Sequence, residues 1–413
     1  MRILFLNQFY LPDKAATAIY LSSLAEELAR RGAEVHVIAG SSSYDENSAK
    51  DKKTSFAPRE ETLNGVRVHR TRNTGFGRKT ALGRITDYAT FYLGAACKSL
   101  ALGRFDAVVS LTTPPFLYLL ALLCKGLTGA RAVLWSMDCY PEVQVALGQI
   151  RENGLLHRIL AGINRAGYPR LSGVIALDAD MKEVLERAGA RNVQIIENWE
   201  NIETFEHSPI DPASWRGELG VDQTHLLVSY LGNMSRGHEF KTVLDAAQIL
   251  QERAAPVTLI FRGGGQKHEE VRNAVARRGL NNVKVGGYVG ARDNVVATLH
   301  ASDFGLITLM EEVKGLIAPS KLYGILASGT AVLFVGPQEC EIARVIRDGR
   351  CGAAFRIGDA QRLADFLEST ARDRSLPEEM GRNAQELFRQ RYEADIAFGR
   401  FWRFFTNHGH PLA

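Results

Sequence analysis

Two hydrophobic patterns alternate along this chain, and their order constrains the fold more than any other feature. Short continuous apolar runs such as residues 3–6 (ILFL) are typical of strands buried on both faces, whereas apolar residues three or four positions apart, as in 18–28, are typical of helices. The alternation gives about seven strand candidates before residue 198 and begins again at residue 226. It predicts an α/β protein with two doubly wound, Rossmann-like domains, each a parallel sheet covered by helices.

The stretch from Asn198 to Pro212 separates the two patterns. It is rich in polar residues and proline and follows neither periodicity, so it predicts a linker and hinge between domains at 1–200 and 213–392. Parallel sheets bind ligands outside the carboxyl ends of their strands, and two such domains in tandem would face a central cleft. That cleft is the expected active site.

Composition excludes several other classes of protein. The 413 residues carry a formal net charge of +4 and are 46% hydrophobic, which argues against disorder and against coating of nucleic acid. The five cysteines show no CxxC or Cys/His ligand pattern, which favours a reducing compartment without a structural metal. The start of the chain is too polar for a signal peptide, and the longest apolar stretch, 116–124, is too short to span a membrane. We therefore expect a cytoplasmic globular protein.

Two loops in the second domain carry residues suited to a diphosphate. Each follows a strand and precedes a helix, where backbone N–H groups can hold phosphate and an arginine can clamp it. Solvated turns of the same composition are the alternative interpretation. The residues of these loops are Gly232, Asn233, Arg236, His238, Arg262, Gly263, Gly264 and Gly265.

Three further places could supply polar groups to the cleft. Ser320 and Lys321 open a helix, where a cation opposes the helix dipole and so suggests an anionic ligand, although the lysine could simply point to water. Glu311 and Glu312 follow a strand of the second domain. Asp138 follows a strand of the first domain, where it could take a proton, bind hydroxyls or merely cap the next turn.

The motifs GNMSRGHEF, FRGGG and GLIAPSKLYGILASGTAVLF, with the N-terminal FYLPDKAATAIYLSSLAEELARRGAEVHVI, resemble those of retaining GT-B glycosyltransferases of family 4. The chain is similar to the bacterial colanic-acid and O-antigen transferases that include N-acetyl-L-fucosamine transferases. The resemblance implies a hexosyltransferase-type enzyme that moves a sugar, such as an N-acetylated deoxyhexosamine, from a nucleoside diphosphate sugar, with UDP as the expected nucleotide. It implies a polyprenyl-diphosphate-linked saccharide as acceptor, in assembly of O-antigen, capsule or exopolysaccharide, and no metal or other cofactor.

The resemblance also assigns roles to residues, with departures from the family pattern. The Arg and Lys that commonly hold the diphosphate fall at Asn233 and His238, so Arg236 and Lys321 are the expected catalytic charges, with Ser320, Arg262 and the glycines completing the donor site.

The family's Glu-x7-Glu glutamates fall at Leu316 and Gly324, and Glu311 or Glu312 could replace them. A histidine that is common in the family falls at Asp138, which is assigned to catalysis and, with Thr17, to the acceptor side. The last helix, about 393–413, is expected to pack back on the first domain.

The window 50–104 is unusually basic, with twelve Lys and Arg against four Asp and Glu, interleaved with aromatic and aliphatic residues. It predicts peripheral contact with the inner face of the cytoplasmic membrane, and a solvated face over a packed helix is the alternative. Nucleic acid is not an expected partner, because no recognition motif accompanies the charge. Two other functions stay open: a sugar-nucleotide epimerase of similar architecture, and a nucleotide-binding scaffold without turnover, which the missing glutamates motivate.

Overall fold

The computed structural model describes residues 1–13, 15–41, 59–71, 74, 81–208 and 210–407, and the chain divides into two units. The first unit consists of Met1–Glu197, Gly315–Ala318 and Ala397–Ala413, and the second of Asn198–Lys314 and Pro319–Ile396. The prediction of two doubly wound α/β domains is confirmed, because each unit has its own largely parallel sheet.

Eight strands form the sheet of the first unit: β1 (Arg2–Leu6), β2 (Glu34–Gly40), β3 (Arg59–Leu63), β4 (Val66–Thr71), β5 (Ala107–Ser110), β6 (Arg131–Trp135), β7 (Gly173–Ala176) and β8 (Val193–Ile195). Their order in the sheet is β3-β4-β2-β1-β5-β6-β7-β8. All neighbours pair in parallel except β3 and β4. The central strands are mostly apolar because helices cover both faces of a parallel sheet.

The helices of the first unit are α1 (Ala16–Arg30), α2 (Ala81–Ala101), α3 (Tyr118–Thr128), α4 (Glu142–Ala146), α5 (Leu155–Gly167) and α6 (Ala179–Arg187). Most of the chain's last helix, α16 (Ala394–Thr406), also belongs to this unit. Its Phe401 ring packs on Trp135 with 4.8 Å between the centroids, and Arg131 donates from Nη1 to the carbonyl of Phe405 at 3.0 Å.

Strand β3 is missing from the sequence prediction because its residues, REETL, are mostly charged. It is an edge strand, which can keep one side in water, and Arg70 of β4 donates to Glu61 at 3.0 Å across the pair. The connecting residues Asn64 and Gly65 both have positive φ, at 49° and 84°. Asn-Gly in this conformation is the usual two-residue hairpin turn, so the dipeptide was the signal that could have predicted β3.

Six parallel strands form the sheet of the second unit, in the order β11-β10-β9-β12-β13-β14. They are β9 (Leu226–Leu231), β10 (Val257–Arg262), β11 (Val283–Gly286), β12 (Phe304–Thr308), β13 (Ala331–Val335) and β14 (Gly352–Phe355). Its helices are α7 (Ile202–Glu206), α8 (Pro212–Glu218), α9 (Lys241–Glu252), α10 (His268–Arg278), α11 (Arg292–Ala301), α12 (Lys321–Ala327), α13 (Glu341–Gly349), α14 (Ala360–Arg372) and α15 (Ser375–Arg391).

The segment that the sequence predicts as a linker contains regular structure. Helix α7 begins after Asn201, whose side chain accepts a hydrogen bond from the Glu203 backbone N–H at 2.9 Å. Trp199 and Phe205 are both buried. The sequence does not predict this helix because five residues are too few to show a helical period. The two aromatic residues belong to the second unit.

None of the helices among the described residues is both long and apolar enough to cross a membrane. The same part of the chain holds no group of three or more His, Cys, Asp or Glu side chains arranged to bind a metal ion.

Candidate functional site

Two loops of the second unit meet at the carboxyl ends of β9 and β10, and backbone hydrogen bonds join them. The N–H of Gly232 donates to the carbonyl of Arg262 at 2.9 Å, and the N–H of Met234 donates to the carbonyl of Gly264 at 2.6 Å. The N–H of Gly263 donates to Gly286 at 3.1 Å. The two glycine-bearing loops predicted from the sequence therefore lie side by side, but the N–H groups of Gly232 and Met234 join the loops to each other and that of Gly263 bonds to the end of β11, so all three are already paired.

Close packing explains the glycines of these loops. A Cβ atom at Gly263 would lie 1.8 Å from the carbonyl oxygen of Gly232, and one at Gly265 would lie 2.1 Å from Oδ1 of Asn233. Gly232 and Gly265 also have φ of 118° and 111°, which side chains rarely tolerate. Gly264 packs under Tyr288, where a Cβ would lie 2.8 Å from the ring.

Lys321 lies beneath the first of these loops, at the start of α12. Its Nζ is 4.8 Å from the centroid of the Tyr230 ring, and a Cβ at Gly232 would lie 3.2 Å from Lys321 Cε. Burial lowers the pKa of Lys321 to about 8. The side chain is half-buried and packs against Tyr230 and Gly232 rather than extending freely from the helix. An ammonium in such a place is stabilised by any anion that approaches it.

His238 is buried beside this lysine. Its Nδ1 lies 2.7 Å from the carbonyl oxygen of Thr308 and must carry the hydrogen, since a carbonyl only accepts. Burial and then the charges of Lys321 and Lys267 lower the pKa of His238 to about 3. The imidazole is therefore neutral at pH 7, and its Nε2 is a hydrogen-bond acceptor. It cannot supply the positive charge that the family's lysine would have at this position.

Lys267 also contacts the loop cluster and is not among the residues predicted from the sequence. Its Nζ donates to the carbonyl of His238 at 2.6 Å and lies 3.7 Å from the sulfur of Met310. Its backbone N–H donates to Met234 at 2.9 Å, so it joins the same two loops. The signal that could have identified it is a lysine two residues after the GGG run, at the start of the predicted helix.

The remaining donor-side candidates differ in exposure. Asn233 and Arg236 are exposed. Arg262 is half-buried, and its buried Nε has no hydrogen-bond partner among the described residues. Its guanidinium lies over Gly286, where a Cβ would be 2.9 Å from Nη1. Ser320 is half-buried at the N-cap of α12 and makes no side-chain capping bond.

Glu311 and Glu312 lie on an exposed single turn, Glu311–Val313. The turn is attached to the first loop, because the N–H of Met310 donates to the carbonyl of Gly237 at 2.9 Å. Gly324, where the family has a glutamate, faces the ring of Phe205, which a Cβ would meet at 3.4 Å. The carboxylates that could replace the motif therefore lie at the rim of the loop cluster.

In the first unit, Asp138 follows β6 and pairs with a segment from far along the chain. It forms an isolated bridge with Ile317, and the N–H of Cys139 donates to the carbonyl of Leu316 at 2.9 Å. Burial raises the pKa of Asp138 to about 6. Asp138 does not cap α4, whose N-cap is Pro141, so that alternative interpretation is wrong.

A small cavity of the first unit adjoins Asp138. Polar groups lining it include those of Thr112, Tyr118 and Asn164. The hydroxyl of Tyr118 donates to Oδ1 of Asn164 at 2.9 Å, and Nδ2 of Asn164 donates to the carbonyl of Tyr140 at 2.6 Å. Thr17, the other acceptor-side candidate, is half-buried in the first turn of α1.

Comparisons with known proteins agree with this architecture. Residues 16–199 match the family model "Glycosyl transferase 4-like domain", and residues 212–387 match "Glycosyl transferases group 1". The chain is 24% identical over 352 residues to WcaI of Escherichia coli, which is named as a colanic acid biosynthesis glycosyl transferase, covering 84% of this chain and 86% of that protein.

Two further comparisons extend this result. WbjE of Pseudomonas aeruginosa, named as a glycosyltransferase, is 24% identical over 307 residues, which are 72% of this chain and 74% of that protein. The crystal structure of Anabaena HepE with UDP and glucose superposes with a TM-score of 0.72 at 17% identity, over 98% of this chain and 100% of that one. The two parts of the chain belong to these two glycosyltransferase domain families, and the chain is a glycosyltransferase with the GT-B fold.

Proposed function

We propose that this glycosyltransferase moves a sugar from a UDP-linked donor to a polyprenyl-diphosphate-linked saccharide, with retention of configuration, in assembly of a bacterial surface polysaccharide. The observation that carries the donor half is the half-buried ammonium of Lys321, which lies against the Tyr230 ring and the Gly232 loop and close to the neutral His238. UDP in the HepE structure supports the choice of nucleotide, and the name of WcaI supports the polysaccharide. A cytoplasmic enzyme at the inner face of the membrane fits that acceptor.

The main chemical requirement of the reaction is to stabilise negative charge on the leaving group. As the bond from the anomeric carbon to the diphosphate breaks, negative charge grows on the departing oxygen, and fixed cations in a poorly solvated site stabilise it strongly. Lys321 supplies an ammonium in a half-buried place where its pKa is lowered to about 8 by burial. Arg236 is exposed and can close on the diphosphate, while Lys267 adds charge from the side of His238.

Retention follows if the acceptor attacks the face from which the diphosphate departs. The acceptor hydroxyl oxygen then bonds to the anomeric carbon, and its proton passes to an oxygen of the leaving diphosphate. Asp138, with a pKa near 6, is ionised at pH 7 and can hold the acceptor hydroxyl by accepting a hydrogen bond. His238 can accept a hydrogen bond from a hydroxyl or amide of the donor through Nε2.

Thermal stabilisation by nucleotides tests the donor site. A ligand that binds only the folded state at a hundred times its Kd adds about 2.7 kcal/mol, so we expect UDP to raise the melting temperature more than GDP, dTDP or ADP. In Lys321→Met the shift caused by UDP should fall by more than half, because the methionine keeps the volume and loses the charge. Lys241→Met is the matched control, since Lys241 is exposed on α9 and pairs only with Asp245 there.

Failure of every nucleotide to stabilise the wild type would remove the support for a donor site and favour the scaffold without turnover. Product analysis then separates the other functions. A transferase releases UDP and a glycosylated lipid whose new linkage has the anomeric configuration of the donor, as read by NMR. An epimerase would return only an altered nucleotide sugar and would need no acceptor.

A further inference from the structure

Exposed apolar side chains are concentrated on three helices of the first unit. Nine of the fourteen large apolar side chains that are exposed among the described residues lie on α2, α3 and α5, and the others are scattered over both units. The most exposed of them, Leu155, has 78% of its surface accessible to solvent. The nine are Ile85, Leu93, Leu100, Leu119, Leu123, Leu127, Leu155, Leu156 and Ile159.

These residues form continuous stripes rather than isolated points. Leu119, Leu123 and Leu127 are four positions apart, so they share the outer side of α3. Ile85, Leu93 and Leu100, at spacings of eight and seven, do the same on α2. Single exposed leucines are ordinary, whereas adjacent stripes on neighbouring helices mark an interaction surface.

The three helices cover the same face of the sheet. Each connects parallel strands that follow one another in the same direction, from β4 to β5, β5 to β6 and β6 to β7, and such crossovers are right-handed. Contacts join them in a row, because Tyr92 of α2 bonds to the carbonyl of Pro115 just before α3, and Tyr118 of α3 bonds to Asn164 of α5 at 2.9 Å. We call the outer surface of α2, α3 and α5 the outer helical face.

The charge of the outer helical face is positive. The only acidic residue of the three helices is Asp87, which is buried and accepts a hydrogen bond from Thr74 at 2.6 Å. The basic residues are Arg84, Lys98, Lys125, Arg158 and Arg165, of which Lys98 is paired with Glu60 of β3. A second copy of the chain docked through this face would set like charges against each other, whereas an anionic lipid leaflet complements both the leucines and the arginines.

The rest of the basic window is less suited to this role. Residues 50–58, 72–73 and 75–80 lie outside the described residues. In the described part, Arg67 of β4 pairs with Glu34 at 2.9 Å and Arg70 pairs with Glu61 at 3.0 Å, so their charges are largely neutralised. Only the α2 portion of the predicted window remains on the outer helical face.

We propose that the outer helical face is the surface by which this chain lies on an anionic membrane, with the side chains of Leu155, Leu156 and Ile159 entering the interface. The inference extends the proposed function, because an acceptor carried on a lipid requires the enzyme to reach the leaflet. The outer helical face would bind the membrane through apolar side chains flanked by cations, and this binding does not depend on which sugar is transferred.

Vesicle sedimentation tests the proposal with the whole chain. The wild type should sediment with vesicles of phosphatidylcholine and phosphatidylglycerol, and less with phosphatidylcholine alone. Charge reversal in Arg158→Glu/Arg165→Glu should lower the partition coefficient at least about tenfold, because each basic residue near an anionic surface contributes strongly. Leu155→Ser/Leu156→Ser should lower it to a similar extent. Ile19→Ser is the matched control, since Ile19 is 45% exposed on α1, which the β1 to β2 crossover puts on the opposite face.

The UDP-induced rise in melting temperature is measured on the same variants and should be unchanged. If UDP does not raise the melting temperature of the wild type, that result counts against the proposed function and leaves the membrane proposal standing. The membrane proposal itself is overturned if the wild type binds neither vesicle, or if Ile19→Ser loses as much binding as the leucine variant. It is also overturned if the wild type is a dimer that the leucine variant dissociates, because the occupant is then a second copy.

Discussion

At the scale of single residues, His238 shows how surroundings change the chemistry of a side chain. Its position on the loop after β9 can be read from the sequence, but its protonation state cannot, because that state depends on Thr308, Lys321 and Lys267 from three other places in the chain. The same is true of Lys321, whose burial depends on the Tyr230 ring. Residue type and position on a loop can be read from a sequence, whereas desolvation by distant residues cannot.

The depressed pKa of His238 makes stability depend on pH. The folded pKa is about 3 against 6.5 in the unfolded chain, so the unfolded state binds a proton first, and stability is lost as pH falls below about 6.5. In His238→Gln this loss is absent, and between pH 6.5 and 4.5 the variant should lose about 2 kcal/mol less unfolding free energy than the wild type. Urea denaturation at a series of pH values measures the difference.

The control for this prediction is His207→Gln, because His207 is exposed and carries no such burial. Its unfolding free energy should follow the wild type across the same range of pH. Equal slopes for the wild type and His238→Gln would show that His238 is accessible to protons in the folded chain, and its assignment as a neutral acceptor would then be withdrawn.

At the scale of elements, strands and helices with clear periodicity were predictable, and the exceptions have physical causes. Strand β14 has the sequence GAAF and offers too few large apolar residues to stand out. The bridge between Asp138 and Ile317 could not be foreseen, because 179 positions of chain separate residues that pair as neighbours in the first unit. The positions of the two glycine loops could be predicted from the sequence. Their close packing against each other could not, because it depends on contacts between residues far apart in the chain.

That close packing gives a prediction for the loop pair. Gly263→Ala would force its Cβ to within 1.8 Å of the Gly232 carbonyl oxygen, so the two loops must separate. We expect a loss of about 2–4 kcal/mol in unfolding free energy and loss of the UDP-induced thermal shift. Gly287→Ala is the control, because nothing lies within 4 Å of its added Cβ. The packing account fails if Gly263→Ala melts and binds UDP as the wild type does.

At the scale of the whole molecule, the chain does not divide into its units at one point. The first unit includes α16 from Ala397 onward, after the whole of the second unit has been traversed. The amphipathic pattern of that helix was visible in AFGRFWRFF, and its partners in β1 and β6 were not. Phe401, Phe404 and Phe405 are all buried, with Phe405 edge-on to Phe5 at 6.3 Å.

Stability of the first unit should therefore depend on the far end of the chain. Phe401→Ala opens a cavity against Trp135 and should cost about 3–5 kcal/mol. In hydrogen exchange read by mass spectrometry, amides of β5 and β6 should exchange faster while those of β12 and β13 keep wild-type rates, because local stability follows the contacts that are lost. Thr406→Ala, an exposed change in the same helix, should leave the exchange rates of the amides in all four strands unchanged. If the strands of both units lose protection equally, the two sheets unfold as one cooperative body and the contribution of α16 is not confined to the first unit.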